Sequence, residues 1–401
     1  MANTLLTVSM ITKQALMILH QKLNFVGKMN RSYDSSFAIS GAKIGDTLRI
    51  RLPNQYTVST GQTLSTQTTT ETSVSLQVAT QKHVDTSFTS QDLTLSMEEF
   101  SNRILEPAMT VLGANIEADA FTMLLNLYNC VDATTASSVQ LSTFLDAGVI
   151  LDNCLAPRDN KRIANLRPRD TADLYKDIKG LFQDSEEIAD AYREGQMGRT
   201  VGFNFFQNTL IPTMTSGTMS ATSVTTVTST IVPATSTSSI AIGNSLVAGT
   251  MVVGDVFTIA GLNKVHAETK ADLGILQQFV VTSLATLATN TSVSFAPAII
   301  MSGATQTVVS TAIAGSLITK LGNTSRVLKQ SVVYHKDAFT FATADLIMPR
   351  NQHFAAREVM DGISMRIWQA ADINNDAFPC RIDVLYGFKT IRAELAAKIY
   401  T

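Results

Sequence analysis

Apolar residues recur at helical spacing in two regions of the N-terminal third, and this spacing predicts two amphipathic helices. The first helix covers residues 7–28, and its apolar face comprises Leu16, Leu19, Leu23 and Val26. The second should begin at Ser96, because Ser96-Met97-Glu98-Glu99 has the hydroxyl and the carboxylate of a capping box. Its apolar pattern continues for about thirty residues. Pro107 lacks a backbone donor, so we expect it to bend this helix or to separate its first turns.

Between these helices, apolar and polar residues alternate in two short segments, 48–52 and 74–78. Alternation is typical of strands with one buried face. The polar sequence GQTLSTQTTTET lies between the segments, so together they predict a long hairpin with a polar tip. Because an isolated hairpin is only marginally stable, we expect this one to lie against a neighbouring molecule. A surface hairpin with a mobile tip is the alternative.

Other parts of the chain combine helices with strands. Helical spacing predicts a helix over residues 141–155 and a later helix that begins with Thr171 as its cap. Alternation or β-branched content predicts strands in five segments: residues 162–166, 331–335, 338–342, 363–368 and 381–386. A turn-rich stretch separates the last two segments, which indicates an antiparallel pair.

Charged side chains are unevenly spread along the chain. Residues 213–325 are rich in Thr, Ser, Val, Ala and Gly and contain only six charges: Asp255, Lys264, Glu268, Lys270, Asp272 and Lys320. Such a shift indicates an inserted domain or a low-complexity tract. Segments 254–261, 277–282 and 292–295 have the β-branched and aromatic content of strands, so we predict a small β-barrel or sandwich with its core at residues 240–308. A Ser/Thr-rich linker is the alternative for residues 213–239.

The composition excludes several classes of protein. Hydrophobic residues make up 45% of the 401 residues and charged residues 16%, which is enough apolar content to bury real cores. The net charge of −2 gives no sign of a sequence-reading nucleic-acid binder. Three cysteines far apart indicate a reducing compartment rather than a disulfide framework. The N-terminus has no basic n-region and Lys13 interrupts its apolar stretch, so we expect no signal peptide. No run of about 18 uninterrupted apolar residues occurs, so we expect no membrane span.

Motifs for catalysis or cofactor binding are missing from the sequence. The five histidines have no metal-binding spacing, and neither a phosphate-binding loop nor a nucleophile elbow occurs. We therefore expect an α+β structural or binding protein that is not an enzyme and holds no cofactor.

The N-terminal segment is basic, with Lys13, Lys22, Lys28 and Arg31. These are candidate DNA-facing residues, and such a contact would be blind to sequence and sensitive to salt. Ordinary solvated side chains are the alternative.

Six stretches carry a resemblance to a known family. In chain order they are GRTVGFNFFQNTLIP, then GDVFTIAGLNKVH, LQQFVVTS and SVSFAPAII in the charge-poor part, and VLKQSVVYHKDAFTFATADLIMP and RIDVLYGFKTIRAEL in the C-terminal part. As an ordered set they resemble the major capsid proteins of tailed double-stranded DNA phages, and more narrowly the P22-type coat proteins. The resemblance runs from about residue 46 to the end and implies the α+β capsid fold named after phage HK97, with an inserted all-β, barrel-like domain.

The resemblance also names the parts of the chain. It implies an N-arm at 1–45, an extended hairpin loop at 46–95, a peripheral domain with the spine helix at 96–130 and 351–401, an axial domain at 131–212 and 326–350, and an insertion domain at 213–325.

The function implied is a major capsid protein of the virion. Its hexamers and pentamers would assemble in the host cytoplasm into an icosahedral head that encloses double-stranded DNA. Candidate intersubunit contacts are Arg49, Arg51, Val74 and Leu76 in the hairpin. Implied partners are further copies of the chain, a scaffolding protein, a portal, non-specifically contacted DNA and, in some shells, a decoration protein. A phage tail or fibre structural protein is the alternative.

Overall fold

A computed structural model of the chain describes residues 8–32, 47–64, 66–69, 71–89, 105–134, 138–178, 199–219, 225–226, 236–242, 249–287, 291–310, 316–348, 354–360, 363–370 and 377–401. Two units can be distinguished. The first comprises Met1–Arg51, Ser73–Phe121 and Phe339–Ile391, and the second comprises Leu52–Thr72, Thr122–Ala338 and Arg392–Thr401.

The first unit is built on a five-stranded antiparallel sheet and two helices. The sheet order is β20-β23-β22-β21, and β3 pairs with β23. The strands are β3 Thr80–Thr89, β20 Phe339–Ala344, β21 Phe354–Met360, β22 Ile363–Gln369 and β23 Ala377–Thr390; the helices are α1 Val8–Lys22 and α2 Glu106–Ala120. A separate two-stranded hairpin consists of β1 Thr47–Arg51 and β2 Ser73–Gln77. The predicted antiparallel pairing of β22 with β23 is confirmed.

Helix α1 confirms the first predicted helix and its buried face. Leu16, Leu19 and Leu23 are all buried, as is Val26 in the 3-10 turn that follows. The helix packs against α2 and against β21. Gly113 of α2 allows this approach, because a β-carbon there would lie only 3.3 Å from Leu19 Cδ1.

Helix α2, as the structure describes it, begins at Glu106. The capping box at Ser96 lies outside the described residues. Pro107 occupies the first turn of α2, where its missing donor costs nothing and its fixed φ favours the helix. It therefore does not bend the described helix. A 3-10 segment, Phe121–Asn126, continues the helical path.

Among the described residues, Glu106–Asn126 is also the one helical stretch whose length and apolar composition would suit a membrane span. More than half of its most apolar window is buried inside the protein, as is usual for a core helix.

The second unit contains a six-stranded mixed sheet of order β4-β24-β19-β5-β7-β6. These strands are β4 Cys130–Asp132, β5 Arg162–Leu166, β6 Arg199–Thr200, β7 Phe203–Gln207, β19 Gln330–His335 and β24 Ala396–Tyr400. Helices α3 Leu141–Asn153 and α4 Pro168–Ile178 accompany the sheet. Helix α4 begins before Thr171, whose hydroxyl instead bonds the carbonyl of Arg167 at 3.1 Å; the predicted cap at Thr171 is wrong.

Strand pairing shifts two of the predicted domain boundaries. Strand β20 pairs with β23 in the first unit, whereas the preceding strand β19 belongs to the mixed sheet of the second. The two units therefore divide after Ala338, inside the segment 326–350 that was predicted as axial. Strand β24, predicted within the peripheral segment 351–401, pairs with β19 and β4 of the mixed sheet.

The charge-poor stretch folds mainly as a β-structure, as predicted. A seven-stranded sheet has the order β10-β15-β13-β12-β17-β9, with β16 on a second part of β12. These strands are β9 Thr225–Thr226, β10 Thr237–Ile242, β12 Val256–Val265, β13 Asp272–Val281, β15 Thr291–Ile299, β16 Val308–Ser310 and β17 Leu317–Lys320. Two small pairs complete it: β11 Gly249–Met251 with β14 Ala285–Leu287, and β8 Met214–Thr215 with β18 Val327–Leu328.

The core of this stretch is wider than predicted. It extends from Met219 to Ile318, beyond residues 240–308 at both ends. Phe257, Phe279 and Phe295 lie at its centre with ring centroids 5.1–5.8 Å apart. Over the described strands, the hydrogen-bonded order does not close into a ring.

Candidate functional site

The hairpin β1–β2 is anchored at its base to the first unit. Leu48 pairs with Leu76, and Ile50 pairs with Val74, in an antiparallel register. The inward side chains form an apolar cluster with β20 and β23: Ile50, Leu76, Val78, Ala342, Ala344, Leu346 and Leu385. The alternation predicted from the sequence is thus confirmed, and it fixes one face of the hairpin to the protein's own core.

Burial divides the four candidate contact residues of the hairpin. Arg49 and Arg51 are exposed on the outer face, opposite Ser75 and Ser73. Val74 is half-buried. Leu76 is fully buried in the core cluster, so it has no surface to offer a neighbour. This corrects the prediction for Leu76, because alternation shows that a strand has two faces but not which one is buried.

The chain leaves β2 across the face of strand β23 at Gly387. A β-carbon at this position would lie 2.1 Å from the carbonyl oxygen of Gln77 and 2.9 Å from Val78 Cα. Only glycine allows the two backbones to approach this closely. The hairpin is therefore held by backbone contact with the sheet as well as by its apolar face.

The tip of the hairpin, residues 52–72, is mostly exposed and has no charged side chain before Glu71. The Gln67 amide spans it by accepting from the Thr57 backbone N–H at 3.0 Å and donating to the Thr57 carbonyl. Three large apolar side chains are left exposed: Tyr56 at 57%, Val58 at 97% and Leu64 at 87%. These three side chains are candidates for contact with another molecule, since apolar surface that lies together in water favours such contacts. The sequence analysis missed these residues, although apolar residues in an otherwise polar tip were a signal.

The four basic residues of the N-terminal segment do not share one face. Lys13 and Lys22 are nine positions apart in α1, which places them on roughly opposite sides of a helix with about 3.6 residues per turn. Lys22 lies 3.6 Å from Glu106 of α2. Arg31 donates to a backbone carbonyl of its own segment at 2.9 Å, and Lys28 is exposed. Only one of Lys13 and Lys22 could therefore face DNA that lies along one side of the helix.

Two of the six charges in the charge-poor stretch are buried together. Asp255 and Lys320 are each 1% exposed. Lys320 Nζ donates to Ser216 Oγ at 2.7 Å and to the Gly217 carbonyl at 2.6 Å. Asp255 accepts from the Gly217 N–H at 3.1 Å and the Val252 N–H at 2.9 Å. Burial lowers the pKa of Lys320, and Asp255 opposes that shift.

The C-terminal strand contacts the inserted strands through polar groups. Lys398 Nζ and Tyr400 OH both donate to the Gly254 carbonyl, at 2.6 and 3.0 Å. The Gln278 amide bonds both backbone groups of Cys130, at 2.7 and 2.8 Å. Burial lowers the pKa of Lys398 from 10.5 to about 8. These bonds join the insertion to the mixed sheet of the second unit.

Over the described residues, no group of His, Cys, Asp and Glu is arranged to hold a metal ion. The buried charges of Asp255, Lys320 and Lys398 have protein groups as their hydrogen-bond partners.

Comparison with known proteins identifies the family. A family model described as P22 coat protein, gene protein 5, matches residues 7–398. The search of curated proteins finds no match.

Among the solved structures that the chain matches are three from phages. A Mycobacterium phage Che8 chain is 10% identical, with 94% of this chain and 90% of that chain covered and a TM-score of 0.44. The capsid of Ralstonia phage GP4 is 6% identical, with 90% and 84% covered and a TM-score of 0.44. A satellite phage P4 procapsid that includes a size determination protein is 8% identical, with 97% and 90% covered and a TM-score of 0.41.

The family match selects a coat protein over the alternative of a tail or fibre protein. It includes the N-terminal helix, both units and the insertion, and so depends on no single motif. The chain therefore belongs to the P22 coat protein family, and it serves as a coat protein of a phage capsid.

Proposed function

We propose that the subunits close into hexamers and pentamers of an icosahedral head chiefly through the hairpin, whose tip clasps an adjacent subunit. The observation that carries this proposal is the contrast within the hairpin. Its base is locked to the subunit's own sheet, whereas its tip exposes Tyr56, Val58 and Leu64. An anchored base presents the tip to a partner at a lower entropic cost than a free loop would.

The tip suits an apolar and hydrogen-bonding contact rather than an ionic one. Residues 52–70 contain no charge, so the contact should depend little on salt. Arg49 and Arg51 on the outer face of β1 would add ion pairs with carboxylates of the neighbour, each worth about 0–1 kcal/mol if exposed. Many weak contacts per subunit then give a stable shell, because each added contact is formed at high effective concentration.

The HK97-type names of the parts follow from the resemblance, with the boundaries adjusted to the strand pairing. The first unit corresponds to the peripheral domain with the N-arm and the base of the extended loop. The mixed sheet of the second unit corresponds to the axial domain, and the inserted β-structure to the insertion domain. We propose that the insertion folds as an independent domain.

Further partners are proposed at a coarser level. The resemblance implies a mode of assembly that has three further partners: a scaffolding protein, a portal and a decoration protein. Assembly around the scaffolding protein would take place in the host cytoplasm. Packaged DNA would meet Lys13, Lys28 and Arg31 without reading sequence. Catalysis has no place in this proposal, and the family is a structural one.

The test replaces the three exposed apolar side chains of the tip together, as Tyr56→Ser, Val58→Ser and Leu64→Ser. We expect a folded subunit with an unchanged circular dichroism spectrum and few closed shells by sedimentation and electron microscopy. The matched control changes three exposed polar residues of the same tip, Gln62, Thr66 and Thr68, to Ser and should assemble normally. Normal shells from the apolar triple variant would overturn the proposal.

A further inference from the structure

Lys264 and Cys154 lie in direct contact in the second unit, apart from the surfaces described above. Lys264 Nζ is 2.8 Å from Cys154 Sγ. Lys264 belongs to β12 of the insertion, and Cys154 directly follows α3. The Asn129 amide approaches the same sulfur at 3.8 Å. An amine and a thiol, both nucleophiles, are thus held within reach of one covalent bond.

The other two cysteines have different surroundings. Burial raises the pKa of the Cys380 thiol to about 11 and raises that of Cys130 further. Among the described residues, neither sulfur accepts a hydrogen bond from a lysine. Cys380 is not part of the cavity lining, whereas Cys130 is. Because the thiolate is the form that oxidants attack, Cys380 serves as the internal control for oxidation, and the test must distinguish Cys154 from Cys130.

A cavity of about 390 Å³ lies beside the pair. Lys264 lines it together with Cys130 and with Asn153, which immediately precedes Cys154. Peroxide that enters this cavity meets the amine directly and has only a short distance to go to the Cys154 sulfur, 2.8 Å from that amine. A peroxide molecule is far smaller than the cavity. Cys154 itself is 6% exposed, so bulky thiol reagents should react with it slowly.

We propose that peroxide converts this contact into a covalent sulfur–nitrogen cross-link between Cys154 and Lys264. In the first step, the thiolate attacks one oxygen of hydrogen peroxide. The S–O bond forms, the O–O bond breaks and hydroxide leaves, which takes up the proton that the thiol had released and becomes water. Sulfur thereby loses two electrons and becomes a sulfenic acid. In the second step, the unprotonated amine attacks that sulfur. The S–N bond forms, the S–O bond breaks, and hydroxide leaves with a proton of the amine as a second molecule of water.

The cross-link would tie strand β12 of the insertion to the end of helix α3. Like a disulfide, it would restrict the unfolded chain and resist unfolding of the second unit. This timing rests on the proposed assembly in the cytoplasm: because a reducing cytoplasm keeps thiols reduced, the coat protein would meet peroxide only after the particle is released. The chemistry itself does not depend on assembly.

The experiment treats the full-length protein with hydrogen peroxide, blocks remaining thiols, and analyses tryptic peptides by mass spectrometry without a reductant. We expect a joined peptide containing Cys154 and Lys264, lighter by two hydrogens than the sum of the two free peptides. Cys130 and Cys154 share one tryptic peptide, so fragment ions should place the link at Cys154 and not at Cys130. Cleavage after Lys264 should be lost, and a thiol reductant should restore both peptides. Lys264→Arg keeps the charge but should abolish the joined peptide, whereas the control Lys270→Arg should leave it unchanged.

Three results would overturn the proposal: no reaction of the wild-type protein, oxidation of Cys154 with cleavage after Lys264 retained, or a joined peptide that persists in Lys264→Arg. The wild-type measurement stands even if a variant fails to fold. Since unassembled subunits and particles can both be tested, failure of this cross-link is distinguishable from failure of the proposed hairpin contact.

Discussion

Gly387→Ala tests the anchoring of the hairpin to the sheet. The added methyl group would meet the Gln77 carbonyl oxygen at 2.1 Å and Val78 Cα at 2.9 Å, whereas ordinary van der Waals contact begins at 3.4 Å. Both obstacles are backbone atoms, so no side-chain rotation relieves the clash. The connection from β2 to β3 must move away from β23 by roughly the length of one bond, in a core that tolerates little overpacking.

The expected loss of stability follows from two opposing effects. Forcing extra atoms into a packed site typically costs about 1–3 kcal/mol, and backbone neighbours place this case at the upper end. Replacing glycine by alanine within a strand recovers about 0.5–1 kcal/mol of backbone entropy. We therefore expect the free energy of unfolding to fall by about 2 kcal/mol. The displacement also loosens Leu76 and Val78 from the apolar cluster that holds the hairpin.

Urea denaturation measures this loss directly. Trp368 is the only tryptophan, and it lies in β22 opposite Arg381 of β23, so its fluorescence reports on this sheet. The matched control is Gly27→Ala, since nothing lies within 4 Å of a β-carbon built there. An unchanged unfolding midpoint for Gly387→Ala, or an equal loss for Gly27→Ala, would refute the steric reasoning.

Three further substitutions test buried charges by urea unfolding, with the exposed Glu268→Gln as a common control. Lys398 has a pKa of about 8 in the folded protein, against 10.5 when solvated. Between these two pH values the unfolded chain binds the proton and the folded protein does not, so the free energy of unfolding should rise with pH by about 3 kcal/mol. Lys398→Met should flatten that rise, and a rise that persists in this variant would contradict the role of Lys398. Asp383→Asn breaks the buried bidentate ion pair with Arg366, whose Nε lies 2.9 Å from Asp383 Oδ1. The free energy of unfolding should fall by about 3–5 kcal/mol. A decrease below about 1 kcal/mol would contradict the importance of this pair. Asp255→Ala leaves the backbone N–H groups of Gly217 and Val252 without an acceptor, and it should lower the free energy of unfolding by roughly 1–3 kcal/mol for each unsatisfied group. An unchanged unfolding midpoint would contradict this expectation.

The hairpin shows how far alternation reaches as a predictor. The two strands, their pairing and the polar tip could be predicted because a period of two is a local property. The burial of Leu76 could not, because its partners in β20 and β23 lie far along the chain. Arg49 and Arg51 on the outer face stay predicted contacts, and Tyr56, Val58 and Leu64 now extend the proposed contact to the tip.

The basic N-terminal segment shows a related limit. Composition identified Lys13, Lys22, Lys28 and Arg31 as a group, but helix geometry separates Lys13 from Lys22. Charge counted along a sequence says nothing about direction around a helix axis. An ion pair with Glu106 further occupies Lys22.

The sheet to which each strand belongs was the property hardest to predict from the sequence. Strands β19 and β20 are separated by only a 3-10 turn, yet they join sheets in different units. The last strand likewise pairs with β19 and β4 rather than with β23, its predecessor in sequence. Local patterns predict a strand, whereas its partners depend on which apolar surfaces meet in three dimensions.

By itself, the sequence determined the local features of this coat protein: the helical face of α1, the alternating strands, the charge-poor β-structure and the ordered resemblance to a capsid family. These are set by neighbours a few positions away, through backbone periodicity and side-chain polarity. Tertiary structure alone decided which face of the hairpin is buried, where glycine is indispensable, and which protein groups bond the buried Asp255, Lys320 and Lys398. Each of these outcomes depends on segments far apart in the sequence that pack together and bury the same residues, and a pattern of neighbouring residues does not predict which segments will pack together.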